Sequence, residues 1–425
     1  MRSVAKPSTS RLRSTAGFGI ASVVANAMGY VLSVLLARQL SPDDFGAMGA
    51  LLALGIIGTI PSTAIQLSVS RRATDATTQG GRVSRSSALV LGLVVGLALC
   101  AAFVVAAVPL ASYLHLDSAW HVVIVGLILV PMLMGAAGNG LLLGEERISR
   151  LSVAAVTTGV ARVAAVAVAL ALGGGVTAVL VAMVLGAGAA AAVALALVPG
   201  GGTVSVPLAT ATQALSRGAV VLTAYFLLTN VDVPIARHHL TGPDSGTYAL
   251  ASIFAKVCLW GPQFLAVVAF PRMHRAPTRS TGLGVAGLTL LFGVCVSAAL
   301  VPLGAPVVEA VAGRAVPEAA QLAPYFGLLG TAWAVVNVAV LHDIATRPRG
   351  RGGWVWLVTT GLVLALAVQA TPTTVSTIVM WALGVSAIGA CVALARLAVD
   401  GRGSARRNTV GPSAVEPLAQ AHEQL

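Results

Sequence analysis

Charged side chains are scarce in this sequence of 425 residues: 9% are Asp, Glu, Lys or Arg, whereas 57% are hydrophobic. A soluble domain carries about a quarter charged residues and needs them to cover its surface. The shortage excludes an ordinary soluble globule and indicates that lipid surrounds most of the chain. Aromatic residues are also few, at 5%, so the apolar runs consist of small side chains that let helix backbones approach closely.

Two further absences exclude classes of chemistry. The four cysteines, Cys100, Cys258, Cys295 and Cys391, lie inside apolar runs without CxxC or Cys/His ligand spacing, which argues against a metal site or a disulfide framework. No lysine follows a glycine, so the phosphate-binding loop GxxxxGK[ST] of an ATP-driven pump is absent. We therefore expect no cofactor and no metal.

The sequence does contain many apolar runs long enough to cross a bilayer, which takes about 20 residues each. The Gly173-Gly174-Gly175 triplet separates two of them. These runs predict an all-α polytopic membrane protein. The twelve predicted spans lie near residues 16–37, 45–69, 87–113, 120–143, 151–172, 175–198, 212–236, 246–270, 283–304, 319–341, 353–370 and 374–396.

Basic residues are distributed unevenly between the two sides of the predicted membrane. Cytoplasmic loops hold the excess of Lys and Arg in membrane proteins. If the N-terminus is inside, the outer loops contain only Arg38, Arg237 and Arg314. This predicts cytoplasmic termini and explains the net charge of +12 without a nucleic-acid partner. The first run shows no small-residue cleavage site, so it is predicted to be a retained span.

An internal repeat divides the predicted bundle. The segment Leu40–Gly46 aligns with Leu240–Gly246 at an offset of 200 residues. In each copy a proline then lies ten residues before an arginine: Pro61 before Arg71, and Pro262 before Arg272. Six predicted spans separate the copies, so both have the same orientation, which indicates a parallel repeat about an axis along the membrane normal.

The repeat sets the predicted domain boundaries. Residues 1–14 form a basic cytosolic tail, residues 15–199 and 200–398 form two six-helix bundles, and residues 399–425 form a disordered cytosolic tail, because that last segment mixes Gly, Arg, Ser, Pro and Glu without periodicity. Substrate sites in transporters built from such repeats lie between the halves.

The ionisable residues Arg162, Asp232 and Lys256 lie inside predicted spans, where charge is costly and usually functional. Arg162 lies roughly 16 Å into the fifth span at 1.5 Å per residue, and it is either a phosphate clamp or a structural partner of helix carbonyls or an acid. Lys256 lies near mid-depth in the eighth span and Asp232 near the outer end of the seventh. They form either a static ion pair or one that breaks when substrate takes the lysine, and Asp232 could also bind a proton or Na⁺.

Other features of the spans leave structural and functional interpretations open. Buried amides more often join helices than contact a ligand. Pro61 and Pro262 should kink their helices, either as hinges or to shape the bundle. Arg38 and Arg237 either anchor the interface or attract an anionic product. The amides in the spans are Asn26, Gln66, Asn139, Asn230, Gln263 and Asn337.

Three stretches resemble the polysaccharide-repeat-unit (Wzx-like) oligosaccharide flippases of the multidrug/oligosaccharidyl-lipid/polysaccharide (MOP) superfamily. They read LLARQLSPDDFGAMGALLAL, LLLGEERISRLSVAAVTTGVARVAAVAVAL and NVDVPIARHHLTGPDSGTYALASIFAKVCLWGPQFLAVVAFPRM. The resemblance covers the first eight spans, and the last four match by hydropathy alone. It implies a MATE-like transporter of about twelve helices in two lobes. Such a protein moves an undecaprenyl-diphosphate-linked oligosaccharide to the outer leaflet of the bacterial cytoplasmic membrane by alternating access.

The resemblance also implies site residues and partners. Basic residues within the membrane neutralise the diphosphate in that family, which points to Arg162 and Lys256. The family pattern of Asn-x-Asp followed by Tyr is met by Asn230, Asp232 and Tyr248, and we add Asn26 of the first span to the predicted substrate-binding set. The expected partners are the lipid-linked oligosaccharide, membrane lipids and a polysaccharide polymerase or glycosyltransferases, and the protein is expected to be a monomer.

Three other functions are alternatives to the flippase. A proton- or sodium-coupled drug exporter of the same superfamily would share the fold but favour an acid-lined cavity, whereas the deepest charges here include an arginine and a lysine. A membrane glycosyltransferase or ligase would need an acidic pair like that of a sugar-nucleotide metal site, and the short outer loops carry few carboxylates and no such pair. A scaffold without transport would not need charge at mid-membrane.

Overall fold

The computed structural model describes residues 9–207, 218–240, 242–262, 279–346, 353–367 and 374–408. These residues are helical apart from connecting segments and one isolated β-bridge. The helices up to residue 200 are α1 (Thr9–Gln39), α2 (Pro42–Gly58), α3 (Ile60–Thr78), α4 (Arg85–Val105), α5 (Ala107–Tyr113), α6 (Trp120–Gly144), α7 (Ile148–Ala171) and α8 (Val176–Ala196). The later helices are α9 (Gly218–Leu228), α10 (Asp232–His239), α11 (Pro243–Trp260), α12 (Arg279–Ala312), α13 (Pro317–Thr346), α14 (Gly353–Ala367) and α15 (Val375–Asn408).

The helices have the lengths and surfaces of a polytopic membrane protein. Within the described residues, eight helical spans are long and apolar enough to cross a membrane. Val105, Leu172 and Leu357 are 83%, 82% and 75% exposed, a surface that favours contact with lipid. Each predicted span overlaps at least one helix, although parts of the seventh, eighth and eleventh lie outside the described residues. The all-α membrane fold is confirmed.

Each half is built around one deeply buried helix. In the first half α6 packs against α3, α4 and α8, and in the second α13 packs against α11, α12 and α15. These two helices contain the most buried of the eight candidate spans. They correspond to the fourth and tenth predicted spans, which are equivalent positions in a repeat of six.

The repeated hairpins meet at the interface between the halves. Helix α2 packs against α10 and α11. A Cβ atom at Gly46 would clash with Ser245, and one at Gly246 would clash with the carbonyl group of Pro42. Glycine at both aligned positions therefore allows the two backbones to touch across the pseudo-two-fold axis.

The repeated prolines lie at helix ends. Helix α2 ends at Gly58 and α3 begins at Ile60, so Pro61 lies in the first turn of α3, where its missing N–H costs nothing. Helix α11 ends at Trp260, two residues before Pro262. Arg272, the arginine paired with Pro262 in the repeat, lies outside the described residues.

A carboxylate organises the loops at the predicted cytoplasmic end of the first half. Glu145 accepts hydrogen bonds from Arg82 at 3.0 and 3.1 Å and from Arg147 at 2.7 Å. Arg82 also donates to the carbonyl of Gly200, just beyond α8. The GEER stretch that carried part of the resemblance therefore joins three loops.

Helix extends into both predicted tails. Helix α1 begins at Thr9, within the predicted N-terminal tail, and α15 continues to Asn408, past the predicted boundary at 399. Residues 1–8 and 409–425, the remainder of the two tails, lie outside the described residues. The predicted boundary at 199/200 falls in the connection after α8.

Candidate functional site

A cavity of about 310 Å³ lies between the two halves. Helices α1, α2 and α7 line it from one half, and α10, α11 and the segment before α10 line it from the other. Four predicted site residues meet there: Asn26, Arg162, Asn230 and Lys256. The other two, Asp232 and Tyr248, are fully buried and are not part of its wall.

Lys256 is held at a break in the seventh span. Helix α9 ends at Leu228 and α10 begins at Asp232, which leaves backbone groups of the intervening turn open to side chains. The Lys256 ammonium group donates to the Thr229 carbonyl oxygen and, at 3.0 Å, to Asn230 Oδ1. Asn230 Nδ2 donates to the Phe226 carbonyl at 2.8 Å, which turns Oδ1 towards the lysine.

An aromatic ring completes the surroundings of the lysine. Lys256 Nζ lies 5.1 Å from the ring centroid of Trp333, a distance at which a cation is attracted to the ring face. Trp333 on α13 is fully buried, and its Nε1 donates to Ser386 Oγ at 3.0 Å. No pattern in the sequence predicts this tryptophan as a site residue, because only the packing of α13 against α11 brings it to Lys256.

The ion pair predicted between Asp232 and Lys256 is not formed in the described structure. Tyr248 donates its hydroxyl hydrogen to Asp232 Oδ2 at 3.0 Å, and Asp232 Oδ1 has no hydrogen-bond partner. Lys256 turns instead to the broken helix end. The start of α10 therefore separates an acid packed inside the second half from a lysine that faces the cavity.

Arg162 lies where two cavities meet. It also lines a second cavity of about 350 Å³, formed entirely by residues of the first half, which we call the N-half chamber. No described residue hydrogen-bonds to the Arg162 side chain or pairs with it as an ion. At Gly186 of α8 an added Cβ would lie 2.9 Å from the Arg162 Cα atom, so a close α7–α8 contact sets the arginine's position.

Two arginines tie the halves together at the predicted outer end. Arg237 is 4% exposed and donates to Asp43 Oδ1 at 2.5 Å, to Ser245 Oγ at 2.6 Å and to the Leu114 carbonyl at 3.0 Å. Arg38 donates to the Ala310 carbonyl on α12. The sequence allows two roles for Arg38 and Arg237, attraction of an anionic product and anchoring at the membrane interface. The structure adds a third role, contact between the halves.

The chain matches a known protein family over more than half of its length. A family model described as "Polysaccharide biosynthesis protein" matches residues 12–276. That match includes the repeated hairpins, Arg162, Asp232 and Lys256. Among curated proteins no sequence matches significantly.

Solved structures share the fold along most of the chain. The lipid II flippase MurJ in an inward closed conformation has a TM-score of 0.70 at 10% identity, covering 89% of this chain and 87% of that one. An inward-facing multidrug resistance MATE family transporter of the MOP superfamily has a TM-score of 0.67 at 14% identity, covering 92% and 100%. An outward-facing MATE family transporter has a TM-score of 0.60 at 14% identity, covering 92% and 96%. Identities this low establish the fold alone.

Proposed function

Because this chain belongs to the polysaccharide biosynthesis protein family, we propose that it is a flippase for an undecaprenyl-diphosphate-linked oligosaccharide repeat unit. The substrate would move from the cytoplasmic to the outer leaflet by alternating access. One observation carries the proposal: Arg162 and Lys256 line the same cavity between the halves, and the arginine has no partner among the described residues. A cation at membrane depth without a counter-ion is costly unless a ligand supplies the charge.

The two cations suit the two ends of a diphosphate. A guanidinium binds phosphate oxygens through a planar fork, and an ammonium acts as a point charge on a flexible stem. Arg162 approaches the cavity from the first half and Lys256 from the second. A diphosphate held between them would therefore contact both halves at once.

Substrate binding would replace the hydrogen-bond partners of the Lys256 ammonium group. Its ammonium group is bound to the Thr229 carbonyl and Asn230, so a phosphate that took the lysine would release the turn between α9 and α10. A ligand shifts a conformational equilibrium by its differential affinity for the two states. We propose that this exchange, rather than an Asp232–Lys256 pair, connects substrate binding to movement of the halves.

The test is a flipping assay in proteoliposomes. Purified protein is reconstituted with a fluorescent undecaprenyl-diphosphate oligosaccharide, and the fraction accessible to an impermeant quencher is followed over time. Loss of a charge-assisted hydrogen bond costs about 1.5 to 3 kcal/mol, so Arg162→Ala and Lys256→Ala should each slow flipping about tenfold or more. The control is Arg72→Ala, which removes an exposed arginine on α3.

Other outcomes would refute parts of the proposal. Unchanged flipping in both variants would defeat the phosphate-binding role of Arg162 and Lys256. If the wild-type protein moves no lipid-linked oligosaccharide but transports a cationic dye such as ethidium, the drug-exporter alternative is correct instead. Both results are read from the same vesicles, which excludes differences in reconstitution.

A further inference from the structure

The N-half chamber adjoins the cavity that holds Lys256, and the two share a boundary that includes Ser33, Ile56 and Arg162. Helix α8 contributes a wall of alanines to it, among them Ala187, Ala190 and Ala191. Their small side chains leave room where leucines would fill the space. The chamber thus has Arg162 at its edge, and the part of it that lies beyond Arg162, towards α3 and α6, is not used by the diphosphate contacts proposed above.

Two side-chain amides in the chamber wall lack partners. Gln66 of α3 and Asn139 of α6 line it, and neither side chain hydrogen-bonds to another residue in the described part of the chain. The Oδ1 atom of Asn139 is buried without a partner. An unsatisfied buried polar atom costs about 1 to 3 kcal/mol, so the Asn139 oxygen favours a ligand that donates a hydrogen bond. The half-buried Gln66 amide offers such a ligand a further donor and acceptor.

The position of Arg162 limits what that ligand can be. If the diphosphate lies at Arg162, the groups bonded to its two ends lie on either side: the isoprenoid chain on one and the first sugar on the other. An isoprenoid in the chamber would leave Gln66 and Asn139 without partners. A sugar ring brings hydroxyl groups that can donate to and accept from both amides, while its C–H groups pack against alanine and leucine side chains.

We propose that the sugar attached directly to the diphosphate occupies the N-half chamber, with Asn139 and Gln66 bonded to its substituents. This inference rests on the flippase function proposed above and adds to it the part of the substrate that is recognised. The chain beyond that sugar and the isoprenoid would leave through the cavity between the halves. The wall residues of the chamber are then the positions at which sugar specificity is set.

The experiment measures binding of four lipids to the full-length protein in nanodiscs. The probes are undecaprenyl diphosphate with no sugar, with glucose, with galactose and with N-acetylglucosamine. In the wild-type protein at least one sugar should lower the Kd about fivefold or more relative to the sugar-free lipid, the gain expected from one or two hydrogen bonds.

Three variants test whether the gain in affinity from the sugar arises in the chamber. Asn139→Ala and Gln66→Ala each remove an amide, and Ala187→Leu fills the chamber; all three should abolish most of the gain while leaving the Kd of the sugar-free lipid within about twofold. Ala189→Leu is the matched control, because Ala189 is an exposed residue of the same helix and its substitution should preserve the gain. Thermal unfolding confirms that each variant is folded. If the Ala187→Leu protein does not fold, the two amide variants alone test whether the sugar lies in the chamber.

Each remaining result overturns the inference. A wild-type protein that gains no affinity from any sugar, or a gain that survives in the variants, would show that the chamber does not hold the sugar. Weaker binding of the sugar-free lipid to the Ala187→Leu variant would place the isoprenoid there instead. If none of the four lipids binds, the flippase function itself fails, which is a distinct outcome.

Discussion

At the scale of single residues, Asp232 is a fully buried acid beside the site. Its carboxyl group is fully buried and accepts a hydrogen bond from the Tyr248 hydroxyl. Tyr248 in turn packs edge-on against Phe326, with ring centroids 5.0 Å apart. Asp232 and Tyr248 are buried inside the second half and do not line the cavity. In this state they do not contact a substrate in the cavity. Their role is therefore either structural or the coupling of transport to a proton or cation.

Substitution of Tyr248 should reveal how much the buried carboxyl group depends on it. Tyr248→Phe should lower the stability by about 1 to 3 kcal/mol, because the carboxyl group loses its donor. In an Asp232→Asn background the loss should be smaller, since a neutral amide is less costly to leave buried. Thermal unfolding in detergent measures both losses. Tyr325→Phe is the control, because Tyr325 is 41% exposed; equal losses in the two backgrounds would contradict the coupling.

At the scale of helices, the repeat explains the contact between the halves. The aligned glycines Gly46 and Gly246 lie in the first turns of α2 and α11, where the two backbones touch. One turn further on, an added Cβ at Gly49 would lie 3.0 Å from the Cβ of Ala249, its aligned partner. Small residues at equivalent positions are what two helices related by a pseudo-two-fold axis need in order to cross closely.

A single methyl group should be enough to disturb this crossing. Gly246→Ala places a Cβ against the Pro42 carbonyl group, which belongs to the backbone and cannot rotate away. Overpacking of this kind costs about 1 to 3 kcal/mol, so the unfolding temperature and the yield of folded protein should both fall.

The matched control for that substitution is Gly188→Ala. Nothing lies within 4 Å of an added Cβ at Gly188, and alanine is the better helix former, so this variant should be as stable as the wild type or slightly more stable. Equal behaviour of the Gly246→Ala and Gly188→Ala proteins would refute the close crossing.

At the scale of the whole molecule, orientation in the membrane depends on charge. The outer end defined by the uneven distribution of Arg and Lys is also the end where Arg237 joins Asp43 and the loop after α5. The opposite end carries the Glu145 cluster. A transporter that moves its substrate in one direction needs this orientation to be uniform.

Cysteine labelling would establish the orientation. In a background with the native cysteines replaced by alanine, the Asp117→Cys variant should react with an impermeant maleimide in intact spheroplasts, because Asp117 is an exposed residue of a predicted outer loop. The Gln79→Cys variant, changed at an exposed residue of a predicted cytoplasmic loop, should react only after lysis. The reverse pattern would invert the topology.

The sequence by itself determined that lipid surrounds most of this protein and that its helices form two equivalent halves. Apolar runs of spanning length predict membrane helices because every backbone polar group must be satisfied within the bilayer. The repeat around Gly46 and Gly246 predicts two equivalent halves, and charge inside the spans identified Arg162 and Lys256, both of which line the cavity.

Only the tertiary structure decided which groups those charges meet. Lys256 and Asp232 form no ion pair in this state, because the break between α9 and α10 places the acid against Tyr248 and offers the lysine a carbonyl oxygen instead. A static pair is therefore not observed, and a pair that forms in another state stays a prediction. Trp333 and the N-half chamber left no pattern in the sequence. Both depend on how helices far apart in the chain rotate and pack, and hydropathy sets where a helix crosses the membrane without setting which face it turns to its neighbour.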